Sequence, residues 1–292
     1  MSFVQKLVAR LSLARPRRPD VLFADISEIP PDEALPALDR ESLDNAGLTP
    51  HQREWRENGA LVLRGFLADD ITEPYIRRRE AFGEPAGWME CAPYMHVDEM
   101  RQLALHPPLM AKLKELIGED MMLHLCLTNW ITSQREWHQD DYLNPSFVNC
   151  WYAAVWIALG DIHPDSGPFE YIPGSHRWPL MRGDRLRALL GPQGEELHWA
   201  KFSERISSPA VNYEIARRRA PVRAFTAKRG DVLIWHARLM HQGAKPKVPG
   251  MERRSLIAHY SGVNHRPDMG EDYRVKDENG ETYVAFGVST AV

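Results

Sequence analysis

Residues Asn149 to Leu159 are apolar on both faces of an extended chain: Cys150, Tyr152, Ala154 and Trp156 on one, Trp151, Val155, Ile157 and Leu159 on the other. Strand side chains point alternately to opposite faces, so this run has no side that tolerates water. It must lie inside a sandwich or barrel with both faces covered. Shorter strand-like stretches accompany it, at Leu123 to Thr132, His138 to Asp140, Phe169 to Ile172, Val222 to Phe225, Val232 to Trp235, around His241, and Ser255 to Tyr260. Gly and Pro turns separate them. This pattern predicts a mainly β chain with flanking helices, folded as a double-sheet jelly roll.

The helices are expected on the N-terminal side. Residues 20–45 read as an irregular, Pro-broken lead-in. Thr49 can cap a helix from Pro50 to Asn58, ended by Gly59. A strand, Ala60 to Leu67, follows, then helices at 69–82 and from Pro108 to Ile117, stopped by Gly118. Met1 to Arg18 carries five basic residues and no acid, with Phe3, Val4, Leu7, Val8 and Leu11 at helical spacing. Such a stretch suits a transit peptide or a membrane-surface helix. The expectation adopted is a basic helix packed on the domain, because the apolar region of a secretory signal is missing.

With 292 residues, 43% hydrophobic, 26% charged and a net charge of −4, the chain suits one enzyme-sized domain and gives no reason to expect nucleic-acid binding. Three cysteines with no C-x-x-C pair argue for a reducing, cytoplasmic setting. No apolar run approaches the ~20 residues of a membrane span. The domain reading is therefore a single catalytic domain over 1–292. Residues 1–45 precede a core at 46–262, which carries an insertion at about 177–221, and 263–292 extend it. The insertion reads as a lid over the open end of the sandwich, or as a solvated excursion. Arg182, Arg185, Arg187 and Arg217 to Arg219 would there meet an anionic substrate, or only water. The extension at 263–292 suits a further cover or a dimer contact, with monomer and homodimer both open.

Chemistry enters at Trp137-His138-Gln139-Asp140. On an extended segment His138 and Asp140 point the same way and Gln139 points away. A third ligand from His236 or His241, about a hundred residues on, would complete two histidines and one carboxylate. That set leaves adjacent positions open and marks non-heme Fe(II) oxygenases. Spacing alone leaves the two histidines equal, one to bind and the other to support.

Such an oxygenase needs a cation for the distal carboxylate of 2-oxoglutarate. Arg253, Ser255, Ile257 and His259 alternate onto one face of the last core strand. If that face looks inward, Arg253 and the Ser255 hydroxyl can hold one carboxylate, the guanidinium bidentately. Arg254 would then face outward.

These residues together resemble the phytanoyl-CoA dioxygenase family of Fe(II)/2-oxoglutarate oxygenases, from about Leu48 to about Gly262. The resemblance rests on Leu48-Thr49-Pro50, Gly59 to Leu67, Trp137 to Asp140, Asp165-Ser166-Gly167-Pro168, Ile172 to His176, Gly230-Asp231-Val232, and His241-Gln242-Gly243 followed by Arg253. It implies a double-stranded β-helix, cupin-like in architecture. It implies His138, Asp140 and His241 as iron ligands, Arg253 as the cosubstrate arginine and Trp156 as an aromatic beside the cosubstrate. His236 matches a neighbour that is not a ligand. A further cosubstrate contact in the short loop before Trp137 has candidates in Thr128, Asn129 and Thr132, with Thr128 the one adopted. His176 is expected to stabilise a turn, and Trp137 and Trp151 to shape the pocket or the ordinary core.

The resulting expectation is a dioxygenase that uses Fe(II), 2-oxoglutarate and O2 on an unactivated C–H bond of a small molecule. Relatives that halogenate have Gly or Ala in place of the carboxylate, so Asp140 favours hydroxylation. Desaturation, cyclisation and epoxidation use the same machinery. A non-catalytic jelly roll would have lost a ligand or the arginine, and a cupin-like metalloprotein would not need Arg253.

Overall fold

The computed structural model describes residues 21–84 and 86–286, so the basic helix expected over residues 1–18 lies outside the described residues. In chain order, strand β1 (Ser27–Glu28) precedes helix α1 (Pro50–Asn58), strand β2 (Ala60–Leu63) and helices α2 (Asp69–Phe82), α3 (Asp98–Ala104) and α4 (Pro107–Ile117). Strands β3 (Met121–Leu127), β4 (Tyr152–Ala158), β5 (Phe169–Tyr171) and β6 (Leu180–Met181) follow, then helices α5 (Gly183–Leu190) and α6 (Trp199–Arg218). The chain returns to strands β7 (Arg223–Phe225), β8 (Val232–His236), β9 (His241–Gly243), β10 (Ser255–Gly262), β11 (Arg274–Lys276) and β12 (Thr282–Val284).

Helix α1 is set by its ends. Thr49 Oγ1 accepts from the Gln52 N–H at 3.2 Å while the Gln52 side chain accepts from the Thr49 N–H at 3.0 Å, a reciprocal cap. Gly59 closes the helix at φ 69°. A Cβ there would lie 2.4 Å from His176 Nδ1, so both the conformation and the space require glycine. His176 is thereby packed against the helix end, its Nε2 3.2 Å from the Arg56 carbonyl.

The strands form a seven-stranded sheet, β11-β12-β3-β10-β4-β8-β2, facing a three-stranded sheet, β7-β5-β9. Together they make the jelly roll. β4 is central in the larger sheet and every one of its residues is buried, as its two-sided apolar pattern requires. Its outer face, Ala153, Val155 and Ile157, joins Val232, Ile234, Leu256 and Ala258 beneath the helices, against Trp55, Tyr75, Leu109 and Leu113. Its inner face, Ala154 and Trp156, joins Leu233 and Trp235 against Phe169, Tyr171 and Phe225 of the smaller sheet. Each large side chain buried this way contributes about 1.5–3 kcal/mol relative to exposure.

The insertion folds as α5 and α6, which pack Leu186, Trp199, Ile206 and Val211 on Val21, Phe23 and Ile26 of the lead-in and on Met240. β1 pairs antiparallel with β6, which straps the lead-in to the start of the insertion. The C-terminal extension adds β11 and β12 to the sheet edge beside β3, the pairing of β12 with β3 being parallel. No helix among the described residues is long and apolar enough to cross a membrane.

Candidate metal centre

His138, Asp140 and His241 each bring one ligand atom to within 4.8 Å of the others, and all three are buried. The means is a single antiparallel bridge. His138 N–H donates to the His241 carbonyl and His241 N–H to the His138 carbonyl, each at 3.0 Å. Strand alternation is not what aligns Asp140: its φ of −86° and ψ of −33° place it in a turn, held by its N–H donating to the Ala237 carbonyl at 2.9 Å. Gln139 points away as expected, and its amide grips the Pro179 carbonyl and the Met181 N–H at 3.2 and 2.8 Å.

The protonation states follow from these contacts. His138 Nδ1 donates to the Glu136 carbonyl at 2.7 Å and His241 Nδ1 to the Leu239 carbonyl at 2.9 Å. Each neutral ring therefore turns a bare Nε2 lone pair inward. Those Nε2 atoms lie 3.4 and 3.5 Å from Asp140 Oδ1. Burial pushes the His138 pKa down to about 3 and also lowers that of His241. Burial works against ionising Asp140, yet a protonated His241 or His138 beside it outweighs burial, so the carboxyl gives up its proton well below its usual range, before either ring does. Three acceptors facing one point with no proton between them are a donor set for a cation, and the N, N, O set fits iron.

His236, equal to His241 on spacing, is separated from it by sheet parity. Trp235 faces the inner side, 5.4 Å from the His241 ring, so His236 faces the outer side. There its Nε2 meets Asp39 Oδ2 at 2.9 Å and its Nδ1 accepts from the Arg238 N–H at 2.9 Å. Its two nitrogens are both engaged away from the triad.

The inner face of β10 carries the second half of the site. Ser255, Ile257 and His259 pair with Ala158, Trp156 and Ala154 of β4. Arg253 lies just before the strand, not in it, and is only 4% exposed. One of its terminal nitrogens donates to the Gly167 carbonyl at 2.8 Å, but its Nε has no partner among the described residues. Gly167 sits at φ 76°, where a Cβ would lie 2.4 Å from the Ala244 carbonyl oxygen. Trp156, whose ring centroid is 5.9 Å from the guanidinium, also keeps an unpaired, buried Nε1. Burial pulls the Arg253 pKa down to about 10. A guanidinium stays charged at that value, so a buried cation and two unused N–H donors ask for an anion. Ser255 Oγ has only a long contact, 3.4 Å, to the Arg253 carbonyl and is free to add a donor. Arg254 faces outward, paired with Glu80 and Glu252 at 2.6 and 2.9 Å.

Thr128 does not join this pocket. The chain leaves β3 at Leu127, and Leu125 and Leu127 pair with His259 and Ile257 on the inner side. Thr128 falls on the opposite side, where its Oγ1 accepts from the Trp88 N–H at 2.9 Å. Asn129 is exposed, and Thr132 donates to the Ala244 carbonyl at 3.1 Å. Trp137 packs with the insertion, and Trp151 stacks on His265 while donating to the Ala34 carbonyl at 2.9 Å.

Arg182, Arg185, Arg187, Arg217 and Arg218 of the insertion are engaged in structure, and Arg219 is exposed. Arg182 and Arg185 both bind Glu28, at 2.7 and 2.6 Å. Arg217 and Arg218 both bind Glu214, at 2.8 and 2.6 Å, and Arg187 lies over the Trp199 ring at 4.3 Å. A cavity of about 750 Å³ opens elsewhere, between the lead-in and the β8–β9 turn, lined by Asp39, Arg56, His176 and Arg238 among others. It contains none of the three convergent ligands, so donor chemistry rather than cavity size locates the centre. Residues missed by sequence reading are Trp235, which donates to Asp140 Oδ2 at 2.9 Å, and the buried pair of Tyr152 with His259. Only the sheet register brings them to the site.

The family model for phytanoyl-CoA dioxygenase matches residues 55–254. The chain is 22% identical over 281 residues to the peroxisomal phytanoyl-CoA dioxygenase of Mus musculus, covering 85% of this chain and 79% of that protein. For the Homo sapiens protein of the same name the identity is 22% over 289 residues, covering 86% and 80%. Among solved structures, EctD from S. alaskensis with bound Fe aligns with a TM-score of 0.61 at 18% identity, covering 82% of this chain and 84% of that one. The epimerase SnoN in complex with Fe3+, alpha ketoglutarate and nogalamycin RO aligns with a TM-score of 0.55 at 21% identity, covering 75% and 85%. At these identities the likeness to the solved structures shows the shared fold.

Proposed function

Because the chain belongs to the phytanoyl-CoA dioxygenase family of iron- and 2-oxoglutarate-dependent oxygenases, we propose that it hydroxylates an unactivated C–H bond of a small-molecule metabolite. His138, Asp140 and His241 hold Fe(II), and Arg253 receives the distal carboxylate of 2-oxoglutarate, with Ser255 and Trp156 beside it. The observation that carries this reading is the pairing of two unmet needs on the inner side of the jelly roll: three converging acceptors, and a buried guanidinium with an unused N–H. Iron, 2-oxoglutarate and O2 together supply the oxidising power, with succinate and CO2 as coproducts.

The chain's own residues do the positioning. The two backbone carbonyls at Glu136 and Leu239 fix the imidazole tautomers. Trp235 fixes the carboxylate. The apolar inner face, Trp156, Leu233 and Ile257, keeps water from the space between the metal and Arg253. Asp140 fills the position that a halide would need, which favours hydroxylation over halogenation. Residues 46–262 form the catalytic core of a single domain, with 177–221 as its strapped cover, acting in the cytoplasm.

Anaerobic addition of Fe(II) and then 2-oxoglutarate to the metal-free protein tests the reading. A visible charge-transfer band that needs both additions, and that Arg253→Ala weakens, is the expected result. Fe(II) binding without a band would overturn the cosubstrate assignment.

A further inference from the structure

Among the buried polar groups around the centre, His259 is left without a task by the roles above. It lies on the inner face of β10, in register with Ala154 of β4, which in turn pairs with Trp235 of β8. The Trp235 ring, which holds Asp140, meets the His259 ring edge to face at 5.9 Å between centroids. His259 thus stands in the row of side chains at the metal end. Arg253 reaches the next row along, over Trp156. The two rows are two strand residues, or about 6.7 Å, apart. A five-carbon diacid held at Arg253 by one end brings its other end to the His259 row.

The tautomer of His259 is fixed by its neighbour. Nδ1 is hydrogen-bonded to the Tyr152 hydroxyl. That hydroxyl has no other partner among the described residues, and Tyr152 is 3% exposed. If Nδ1 carried the proton, the buried phenol hydrogen would have no acceptor, a cost of about 1–3 kcal/mol. The phenol therefore donates to Nδ1, and the neutral ring carries its hydrogen on Nε2. Nε2 is buried and unpaired. It is an N–H donor prepared for a group that is not part of the chain.

Resting on the iron and 2-oxoglutarate reading above, we propose that His259 is a cosubstrate-binding residue: its Nε2–H donates to the metal-proximal carboxylate of 2-oxoglutarate, and Tyr152 holds the imidazole in the tautomer that can do so. Arg253 and His259 then grip the two ends of one diacid. The pair selects a 2-oxo diacid of one length, since a longer or shorter chain cannot satisfy both donors. Ser255 and Trp156 stand at the Arg253 end, beside the distal carboxylate.

The test is an anaerobic titration of the Fe(II)-loaded protein with 2-oxoglutarate, following the charge-transfer band. His259→Phe keeps a flat ring and removes the donor. We expect its 2-oxoglutarate Kd to rise by about tenfold, the weight of a hydrogen bond to a charged group, with Fe(II) affinity unchanged. His259→Gln returns an N–H donor and restores part of the affinity. Tyr152→Phe releases the tautomer and weakens binding several-fold, and it serves where His259→Phe does not fold. Unchanged 2-oxoglutarate binding in a folded His259→Phe or Tyr152→Phe protein, with the wild-type band present, overturns this proposal alone. Absence of the band in the wild type removes the reading on which it rests.

Discussion

The indole N–H of Trp235 donates to Asp140 Oδ2 at 2.9 Å, leaving Oδ1 to face His138 Nε2 and His241 Nε2 at 3.4 and 3.5 Å. One oxygen of the carboxylate is thus spent on orientation, and the other is left facing the two imidazole nitrogens. Trp235→Phe keeps most of the packing volume and deletes the donor. Fe(II) affinity should fall by about 10–100-fold, the usual weight of such a supporting contact. Isothermal titration with Co(II) as a redox-inert probe checks this, and native affinity would show that packing alone orients Asp140.

The two histidines of the β8–β9 region should part ways on substitution. His241→Ala abolishes Fe(II)-dependent turnover and leaves the fold in place. His236→Ala leaves Asp39 buried without its partner, which destabilises by about 3–5 kcal/mol yet spares metal stoichiometry. Thermal unfolding and iron content measured on both proteins separate the roles. Loss of iron in His236→Ala at a temperature where it is folded would contradict the parity assignment.

Arg253 and Arg254 are adjacent and opposite in face. Under the proposed role, Arg253→Ala takes a charged donor pair away from the cosubstrate and should raise the 2-oxoglutarate KM by about 10–100-fold. Arg253→Lys should recover little, because a point charge cannot reproduce the planar fork. Arg254→Ala breaks exposed ion pairs to Glu80 and Glu252 and should change stability by less than about 1 kcal/mol. Steady-state kinetics on the three variants give the answer.

Acid should unfold the metal-free protein early. Burial pushes His138 down to about 3, His259 down to about 4, and His124 well below its ordinary 6.5. A depressed folded-state pKa contributes stability above the unfolded value of 6.5, and that contribution is lost as pH falls toward the folded value. Each such histidine then costs about 1.4 kcal/mol per pH unit below 6.5. Asp141, raised by burial to about 6, acts in the opposite sense between 3.8 and 6, as does Glu281, raised by burial, but these two are outnumbered by the histidines. Urea unfolding at about pH 7 and about pH 5 should show a lower midpoint at the acid end. Substituting His259 by Phe should flatten the difference.

The sequence by itself determined what depends on local order. Alternation along Asn149 to Leu159 required a strand covered on both faces, and β4 is one. Thr49, Pro50 and Gly59 marked the ends of α1 because caps are satisfied within a few residues. Chemical type was legible too: two histidines, one acid and one arginine in an order matching the family. Tertiary structure decided what depends on pairing between distant strands. The partnering of Ala154 with Trp235 and with His259 turns Trp235 and His259 toward the side chains of His138, Asp140 and His241 and His236 away, a choice that spacing left even. The end of β3 at Leu127 put Thr128 on the far side, against Trp88. Glu28 drew Arg182 and Arg185 into a strap across a separation the chain order does not reveal. Parity is a property of one strand, but which face is inside is a property of the sheet, and that is fixed only when the strands meet.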